Sequence, residues 1–314
     1  MTAPLLEMRR VVKHFPANGG MVRAVDDVSL QVAPGETLGL VGESGCGKST
    51  LARLVMRLFP PSDGSILFDG TDLTTADRAA VAEYRSGLQM VFQDPFASLN
   101  PRETIGRILE QPLVVHRRGG RAERRDRVNA LLERVGLRPE IAARYPHELS
   151  GGQRQRVGIA RALILHPRMI VCDEAVSALD VSVRAQVLNL LLELRAELGL
   201  AALFISHDLA VVRHMSDRVA VMYLGEVVEQ ADRDSLWDRP LHPYTRALIA
   251  ATPSTSPAAR RRERLMLQGD LPSPIDPPRG CRFHPRCPLA QPRCREEAPA
   301  LRRVGATEVA CHLA

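Results

Sequence analysis

The sequence contains no apolar run long enough to cross a bilayer. A membrane-spanning helix needs about 20 consecutive, mostly apolar residues, and no stretch of that kind occurs among the 314 residues. The opening residues, Met1-Thr2-Ala3-Pro4, also lack the basic and apolar regions of a signal peptide. We therefore expect the chain to stay in the cytosol.

Lysine and aromatic residues are scarce. Lys13 and Lys48 are the only lysines, so arginine supplies nearly all of the positive charge behind the formal net charge of +6. This mildly basic balance suits a membrane surface or a nucleic acid and decides neither. Aromatic residues make up only 4% of the chain, whereas proteins that bind single strands stack bases on aromatic rings. We expect no nucleic-acid partner.

A glycine-rich loop follows a short apolar strand at residues 35–42. Gly42 opens the sequence GESGCGKST, which matches G-x-x-x-x-G-K-[ST]. Such glycines let several backbone N–H groups point at one anion, and the helix predicted over 48–58 adds its positive dipole end. We expect a site for a nucleoside triphosphate, in which Lys48 reaches the β- and γ-phosphates and the Ser49 hydroxyl binds Mg²⁺. The predicted loop comprises Gly42, Glu43, Ser44, Gly45, Cys46, Gly47, Lys48, Ser49 and Thr50.

A second apolar strand, RMIVCDE at residues 168–174, ends in two carboxylates. A buried strand that delivers Asp173 beside a phosphate loop is suited to holding Mg²⁺, and Glu174 can then polarise an attacking water. Two acidic residues after a strand are also compatible with the start of a solvated loop.

Residues 149–153 read LSGGQ, and with this motif the chain resembles the ATP-binding cassette (ABC) ATPases. Four further elements follow the family order: Phe15 before the phosphate loop, Gln93 in VFQDP, SALD at 177–180 and His207 in ISHD. The resemblance implies an α/β fold, the P-loop NTPase fold of an ABC nucleotide-binding domain with an inserted helical subdomain. One departure is Ala175, where the family usually has proline after the acidic pair.

The resemblance also implies the role of each element. Two cassettes associate head to tail, and the signature residues of one close on the ATP held by the other. Catalysis is expected from Glu174, His207 and Gln93, with Mg²⁺ held by Ser49, Gln93 and Asp173. Phe15 is expected to stack on adenine. The residues expected to act in trans are Ser150, Gly151, Gly152 and Gln153.

Two segments resemble the ATPases of oligopeptide and dipeptide permeases: VFQDPFASLNPR at residues 91–102 and HPYTRALIAATP at residues 242–253. The likeness implies peptide import by a complex at the cytoplasmic face of the inner membrane. Its other parts would be a second, different cassette, two membrane permeases and an extracytoplasmic substrate-binding protein. Nickel and glutathione importers share the subfamily, and a soluble ABC ATPase acting on nucleic acid or the ribosome is the alternative. We place the ATPase domain at 5–235, its helical subdomain at 89–161, the C-terminal extension at 236–314 and a connector at 252–278.

Six cysteines in a cytosolic chain call for an explanation other than disulfides. Four of them lie in a tail rich in proline and arginine, which has too few apolar residues for an ordinary core. Four thiolates that bind a metal would fold such a segment around it. The resemblance implies a 4Fe–4S cluster; zinc, with His284 or His312 as substitute ligands, and no metal remain alternatives. Cys46 lies beside a helix N-terminus, which can lower the pKa of a thiol, and we expect thiol reagents to inactivate the protein through Cys46 and ATP to protect it. The tail cysteines are Cys281, Cys287, Cys294 and Cys311.

Overall fold

The computed structural model describes residues 3–94, 98–252 and 269–314. The chain divides into two compact units. Apart from the first residues, unit 1 comprises Ala33–Gly35 and Thr75–Leu203, and unit 2 comprises Pro4–Val32, Glu36–Thr74 and Phe204–Ala314.

Strands and helices alternate along most of the chain, as in other α/β proteins. The strands are β1 (Leu6–Ala17), β2 (Gly20–Val32), β3 (Thr37–Val41), β4 (Asp63–Phe68), β5 (Thr71–Asp72), β6 (Leu88–Val91), β7 (Met169–Asp173), β8 (Ala201–Ile205), β9 (Arg218–Tyr223), β10 (Glu226–Asp232), β11 (Arg302–Val304) and β12 (Thr307–Val309). The helices are α1 (Lys48–Val55), α2 (Arg78–Gly87), α3 (Ile105–Val115), α4 (Arg121–Arg134), α5 (Gly151–Leu163), α6 (Val181–Leu198), α7 (Leu209–Met215), α8 (Arg233–Asp238), α9 (Pro243–Ala251) and α10 (Pro292–Glu296).

Unit 2 contains strands in two sheets. One is antiparallel in the order β2-β1-β4-β5, and the other runs β11-β12-β10-β9-β3. In the second sheet β3 and β9 are parallel, with Leu38 beside Arg218 and Val41 beside Val221. All five residues of β3 are buried, which explains why this strand reads as a continuous apolar run and not as an alternating pattern. The sheet therefore places the phosphate loop directly after a rigid, buried strand.

Unit 1 contains β6 and β7, which pair in parallel from Leu88–Met169 to Val91–Cys172. The five residues of β7 are buried. Helix α5 packs on β6 and on α6, and it contacts α3 and α4 as well. Helix α6 ends at Gly199, whose φ of 63° is the left-handed conformation typical of a helix C-terminus. In the described ranges, no helix combines the length and apolar content that crossing a membrane requires.

The compact units do not follow the domain division expected from the sequence. Helices α3 and α4 fall within the predicted helical subdomain, residues 89–161, but unit 1 also includes residues 75–88 and 162–203. The predicted bounds therefore stay a prediction. Residues 95–97 of the segment 91–102 and most of the predicted connector lie outside the described residues.

Candidate nucleotide-binding site

The predicted phosphate loop of unit 2 is folded around the amino group of Lys48. That side chain is buried, and its Nζ donates hydrogen bonds to the carbonyl oxygens of Gly42 and Glu43, both at 2.8 Å. Helix α1 begins at Lys48 without a side-chain cap on its first turn. The loop thus places an ammonium group and the positive end of a helix dipole together, as an anion site requires.

Gly47 shows why this loop tolerates no larger residue at the start of α1. Its φ is +109°, and a Cβ there would lie 2.0 Å from the carbonyl oxygen of Ala24. An L side chain would therefore meet both a strained backbone and a clash with main-chain atoms. The close approach holds the loop against β2 within unit 2.

The structure corrects the expectation for Cys46. The thiol is 1% exposed, and burial raises its pKa, with Lys48 acting in the opposite direction. Desolvation of the thiolate therefore outweighs the nearby helix terminus and the ammonium group. The prediction of a lowered pKa at Cys46 was wrong.

Two further predicted residues also belong to unit 2. Phe15 lies in β1, half-buried, with its ring 5.5 Å from that of Phe59 in an edge-to-face arrangement. His207 is exposed and follows β8. The backbone around His207 is ordered by its neighbours, because Asp208 donates its N–H to the Ser206 hydroxyl at 3.0 Å and caps helix α7.

Glu174 and Gln93 are brought together in unit 1. The amide Nε2 of Gln93 donates to Oε2 of Glu174 at 3.1 Å, and Asp173 is buried at the end of β7. Glu174 adopts a φ of +48°, a left-handed conformation that costs a non-glycine residue about 1–3 kcal/mol. A turn stabilises it: the Glu174 carbonyl accepts from the N–H and the hydroxyl of Ser177 at 3.0 and 2.9 Å. The turn therefore fixes the backbone of Glu174, while Gln93 bonds to its carboxylate.

The LSGGQ motif forms the capped start of α5. Ser150 is the N-cap, and its hydroxyl accepts from the N–H of Gln153 at 3.3 Å, while Oε1 of Gln153 accepts from the N–H of Ser150 at 3.0 Å. This reciprocal pair is a capping box. Ser150 and Gly151 are exposed, whereas Gly152 faces α6. The motif is thus a preformed helix N-terminus on the surface of unit 1.

The four tail cysteines converge in unit 2, but no group of three or more His, Cys, Asp or Glu side chains among the described residues is placed to hold a metal ion. The Cys281 N–H donates to the Cys294 carbonyl at 2.8 Å. Burial, together with the nearby Cys294, Cys311 and Cys287, raises the pKa of the Cys281 thiol to about 11. The iron–sulfur cluster and the zinc alternative thus have no direct support at this site.

The two histidines expected as substitute ligands are engaged with the main chain. One ring nitrogen of His284 lies 3.0 Å from the Cys281 carbonyl, and one of His312 lies 2.9 Å from the Glu297 carbonyl. A carbonyl oxygen only accepts, so each of these nitrogens carries a proton. A metal would bind the other nitrogen of each ring, since metal-binding histidines commonly donate their second N–H to a carbonyl oxygen.

Two residues of the C-terminal extension contact the phosphate loop, although the sequence does not mark them as site residues. The Tyr244 hydroxyl accepts from the N–H of Glu43 at 2.9 Å, and the Arg286 guanidinium donates to both carboxylate oxygens of Glu43 at 2.7 and 3.0 Å. Tyr244 belongs to the segment 242–253, which in the sequence indicated only a resemblance to the ATPases of peptide permeases. Arg286 is separated from Glu43 by 243 positions, and no local pattern links them.

Comparison with known proteins matches two family profiles to this chain and finds proteins similar to it over nearly its whole length. The profile of the ABC transporter family matches residues 25–177, and that of the oligopeptide/dipeptide transporter C-terminal region matches residues 228–294. The oligopeptide transport ATP-binding protein AppF of Bacillus subtilis (strain 168) is 53% identical, over 98% of this chain and 97% of its own length. The probable peptide ABC transporter ATP-binding protein y4tS of Sinorhizobium fredii is 54% identical, over 100% of this chain and 91% of its own.

Solved structures of similar fold include an ATP-binding cassette and part of an ABC transporter complex. The dimeric post-hydrolysis state of the ATP-binding cassette MJ0796, bound to ADP and Pi, has a TM-score of 0.67 and 31% identity, covering 73% of this chain and 98% of that one. The protein cbiO1 from Clostridium perfringens, part of the transporter complex cbiONQ, has a TM-score of 0.67 and 28% identity, over 75% and 91%. The predicted α/β cassette fold is confirmed.

Proposed function

This chain belongs to the ABC transporter family, and we propose that it is the ATP-hydrolysing subunit of a complex that imports short peptides. The observation that carries the ATPase assignment is the Glu174 carboxylate, held by Gln93 at 3.1 Å in a strained turn at the end of a buried strand. The peptide assignment is supported by the C-terminal region, matched over residues 228–294, and by the names of the relatives above.

Lys48 and the N-terminus of α1 are proposed to bind the phosphates. The Lys48 ammonium now bonds to two loop carbonyls at 2.8 Å, and these bonds are replaced by bonds to phosphate oxygens when ATP enters. Ser49 and Asp173 offer the hydroxyl and carboxylate oxygens that Mg²⁺ prefers. When bound, Mg²⁺ neutralises charge on the phosphates.

Glu174 is proposed as the general base that accepts a proton from the attacking water. Gln93 fixes the orientation of its carboxylate, and His207 is proposed to contact the γ-phosphate. Phe15 is proposed to stack on the adenine. Positioned proton transfer of this kind accelerates a reaction by about 10²–10⁴-fold, so the rate depends strongly on the Glu174 charge.

The signature residues are proposed to act on the ATP of a second cassette. Ser150 and Gly151 are exposed, and the capped N-terminus of α5 presents backbone N–H groups, which suit a γ-phosphate. MJ0796, similar over 73% of this chain, is dimeric in its post-hydrolysis state. ATP would thus join two cassettes, and its hydrolysis would release them.

The remaining parts of the complex follow from the family. We propose a second, different cassette, two permeases in the membrane and an extracytoplasmic substrate-binding protein. The chain would then lie at the cytoplasmic face of the inner membrane, attached through the permeases. A soluble ATPase acting on nucleic acid is less well supported, since both relatives above are named for peptide transport.

The base assignment is tested by Glu174→Gln. Glutamine keeps a side-chain oxygen that accepts the Gln93 N–H and removes the charge, so ATP still binds. ATP turnover is expected to fall about 10²–10⁴-fold, and a stable ATP-bound dimer should appear in gel filtration. Glu193→Gln, an exposed position on α6, is the matched control and should leave turnover unchanged. Normal turnover in Glu174→Gln would show that this carboxylate is not the base.

We also propose that the four tail cysteines hold an iron–sulfur cluster, with zinc as the alternative. The proposal is supported by the shortness of the elements in this segment: His284–Arg286 is a 3₁₀ turn, α10 has five residues, and β11 and β12 have three each. A bound metal would hold such a segment together.

The cluster is tested by chemical analysis of chain purified without oxygen. We expect about four iron atoms per chain, lost together with the cluster's visible absorbance in Cys281→Ser/Cys294→Ser. One zinc ion without iron would favour the alternative. Metal-free protein that keeps its ATPase activity would contradict both.

A further inference from the structure

The C-terminal extension contacts the phosphate loop at Glu43. The Arg286 guanidinium forms two parallel hydrogen bonds with its carboxylate, at 2.7 and 3.0 Å. The side chains of Arg286 and Glu43 are 8% and 23% exposed, respectively, so the pair is mostly shielded from water. The N–H of Glu43 meanwhile donates to the Tyr244 hydroxyl at 2.9 Å.

Tyr244 is held in place by contacts with two aromatic rings and by a hydrogen bond to His242. Its side chain is fully buried, with its ring 4.7 Å from that of Tyr223 and 5.4 Å from that of Phe283. Its N–H donates to Nδ1 of His242 at 3.1 Å. Burial lowers the pKa of His242 to about 3, so the ring is neutral at physiological pH and Nδ1 keeps the lone pair that this bond needs.

The backbone just before Tyr244 is hydrogen-bonded to a side chain of β10. The Glu229 carboxylate, fully buried, accepts from the N–H groups of Leu241 and His242 at 2.6 and 3.0 Å. The sequence His-Pro-Tyr at 242–244 therefore has a physical meaning. Histidine caps α9, proline begins it, and tyrosine carries a hydroxyl from a fixed helix terminus to the phosphate loop.

Arg286 is fixed by its own turn. It ends the 3₁₀ helix His284–Arg286, and its N–H donates to the Phe283 carbonyl at 3.0 Å. Its guanidinium lies 6.0 Å from the centre of the Tyr223 ring. Tyr223 thus contacts both Arg286 and Tyr244, which joins the two halves of the extension into one support.

Glu43 is consequently held at three points. Arg286 binds its side chain and Tyr244 its N–H, and until ATP enters Lys48 binds its carbonyl at 2.8 Å. We propose that Arg286 and Tyr244 are positioning residues that hold the phosphate loop in its nucleotide-binding shape, so that the C-terminal extension sets the affinity for ATP. Arg286 also neutralises a carboxylate that would otherwise repel phosphate oxygens across a short loop.

This inference rests on the proposed function, since it requires that the loop binds ATP. The first variant is Arg286→Gln, which leaves the Glu43 carboxylate without its counter-charge. We expect the Kd for ATP to rise about tenfold, equivalent to ~1.4 kcal/mol, with kcat at saturating ATP unchanged. Arg286→Lys keeps the charge without the paired geometry and should recover part of the affinity. Tyr244→Phe removes only the hydroxyl and should weaken binding by a smaller factor.

The matched control is Arg293→Gln. Arg293 lies in α10 of the same segment, is 63% exposed and pairs with Glu297 at 2.7 Å, so its loss should leave the Kd unchanged. Thermal midpoints are measured for every variant, and amide exchange of the peptide covering residues 42–50 reports loop order directly. This exchange should accelerate in Arg286→Gln and in Tyr244→Phe but not in Arg293→Gln.

A double variant separates a positioning role from simple destabilisation. In Glu43→Gln/Arg286→Gln no uncompensated charge remains but the paired bonds are still missing, so the Kd should fall below that of Arg286→Gln and stay above the wild-type value. Losses that add, or an unchanged Kd in Arg286→Gln, would overturn the inference. A wild-type chain that binds no nucleotide would instead overturn the proposed function.

Discussion

Gly152 in the LSGGQ motif offers a test of how closely α5 and α6 are packed. A Cβ at this position would lie 2.5 Å from Cγ1 of Val183, with the next atoms at 3.8 and 4.0 Å. Since carbon atoms prefer about 3.5–4.0 Å, one methyl group overlaps by about 1 Å. Val183 is β-branched and stiff about χ1, so it cannot rotate away without cost.

Two terms decide the effect of Gly152→Ala. Overpacking costs about 1–3 kcal/mol, while replacing a helical glycine by alanine returns up to about 1 kcal/mol. The net loss is about 1 kcal/mol, which lowers the thermal midpoint of a unit of this size by about 2–4 °C. Gly158→Ala in the same helix is the control: nothing lies within 4 Å of its added Cβ, so the midpoint should rise.

The assay is thermal unfolding of the nucleotide-free chain, followed by fluorescence, in wild-type and Val183→Ala backgrounds. With Val183 shortened, Gly152→Ala should no longer destabilise, a coupling of about 1–2 kcal/mol. If Gly152→Ala raises the midpoint in the wild-type background, or shifts it equally in both, the packing explanation is refuted. ATP turnover of the stable double variant then reports separately whether the γ-phosphate site needs a glycine.

Two further predictions concern buried titratable groups. Because burial raises the pKa of Cys46, a maleimide should label it slowly with or without ATP at pH 7.5, as judged by mass spectrometry; rapid labelling that ATP blocks would restore the rejected expectation. Because the pKa of His242 is lowered to about 3, the unfolded chain binds a proton that the folded chain excludes, so stability falls as pH drops below about 6.5. His242→Asn keeps an acceptor for the Tyr244 N–H, and its thermal midpoint should fall less between pH 6.5 and 5 than that of the wild type. Glu229 titrates in both proteins, so its effect cancels when the two are compared. An equal fall of the thermal midpoint in both proteins would contradict the assignment to His242.

Local patterns were sufficient for the elements that carry the ATP chemistry. The strands TLGLV and MIVCD were predicted and correspond to β3 and β7, since buried parallel strands are read as continuous apolar runs. The helix predicted over 48–58 ends earlier, at Val55. Arg57 adopts a φ of +48°, and Pro60 disfavours helix in the residue before it.

The sequence was insufficient where tertiary packing determines the pKa or the exposure of a side chain. For Cys46, the sequence shows the neighbouring helix terminus but not the depth of burial, and burial is the larger influence on its pKa. For Arg286, the sequence shows a basic residue in an arginine-rich tail, and nothing local distinguishes it from Arg293. Only the fold makes one a buried partner of Glu43 and leaves the other exposed.

The two regions recognised by family profiles are connected physically through Glu43. The ABC transporter profile covers residues 25–177 and includes Glu43, whereas the C-terminal profile covers 228–294 and includes Tyr244 and Arg286. The bonds from Tyr244 and Arg286 to Glu43 run within one compact unit. A C-terminal region that only decorated the cassette would not bury a charge pair against its phosphate loop, because an incompletely compensated buried charge is costly. The contact is therefore best explained as part of how this chain sets its affinity for ATP.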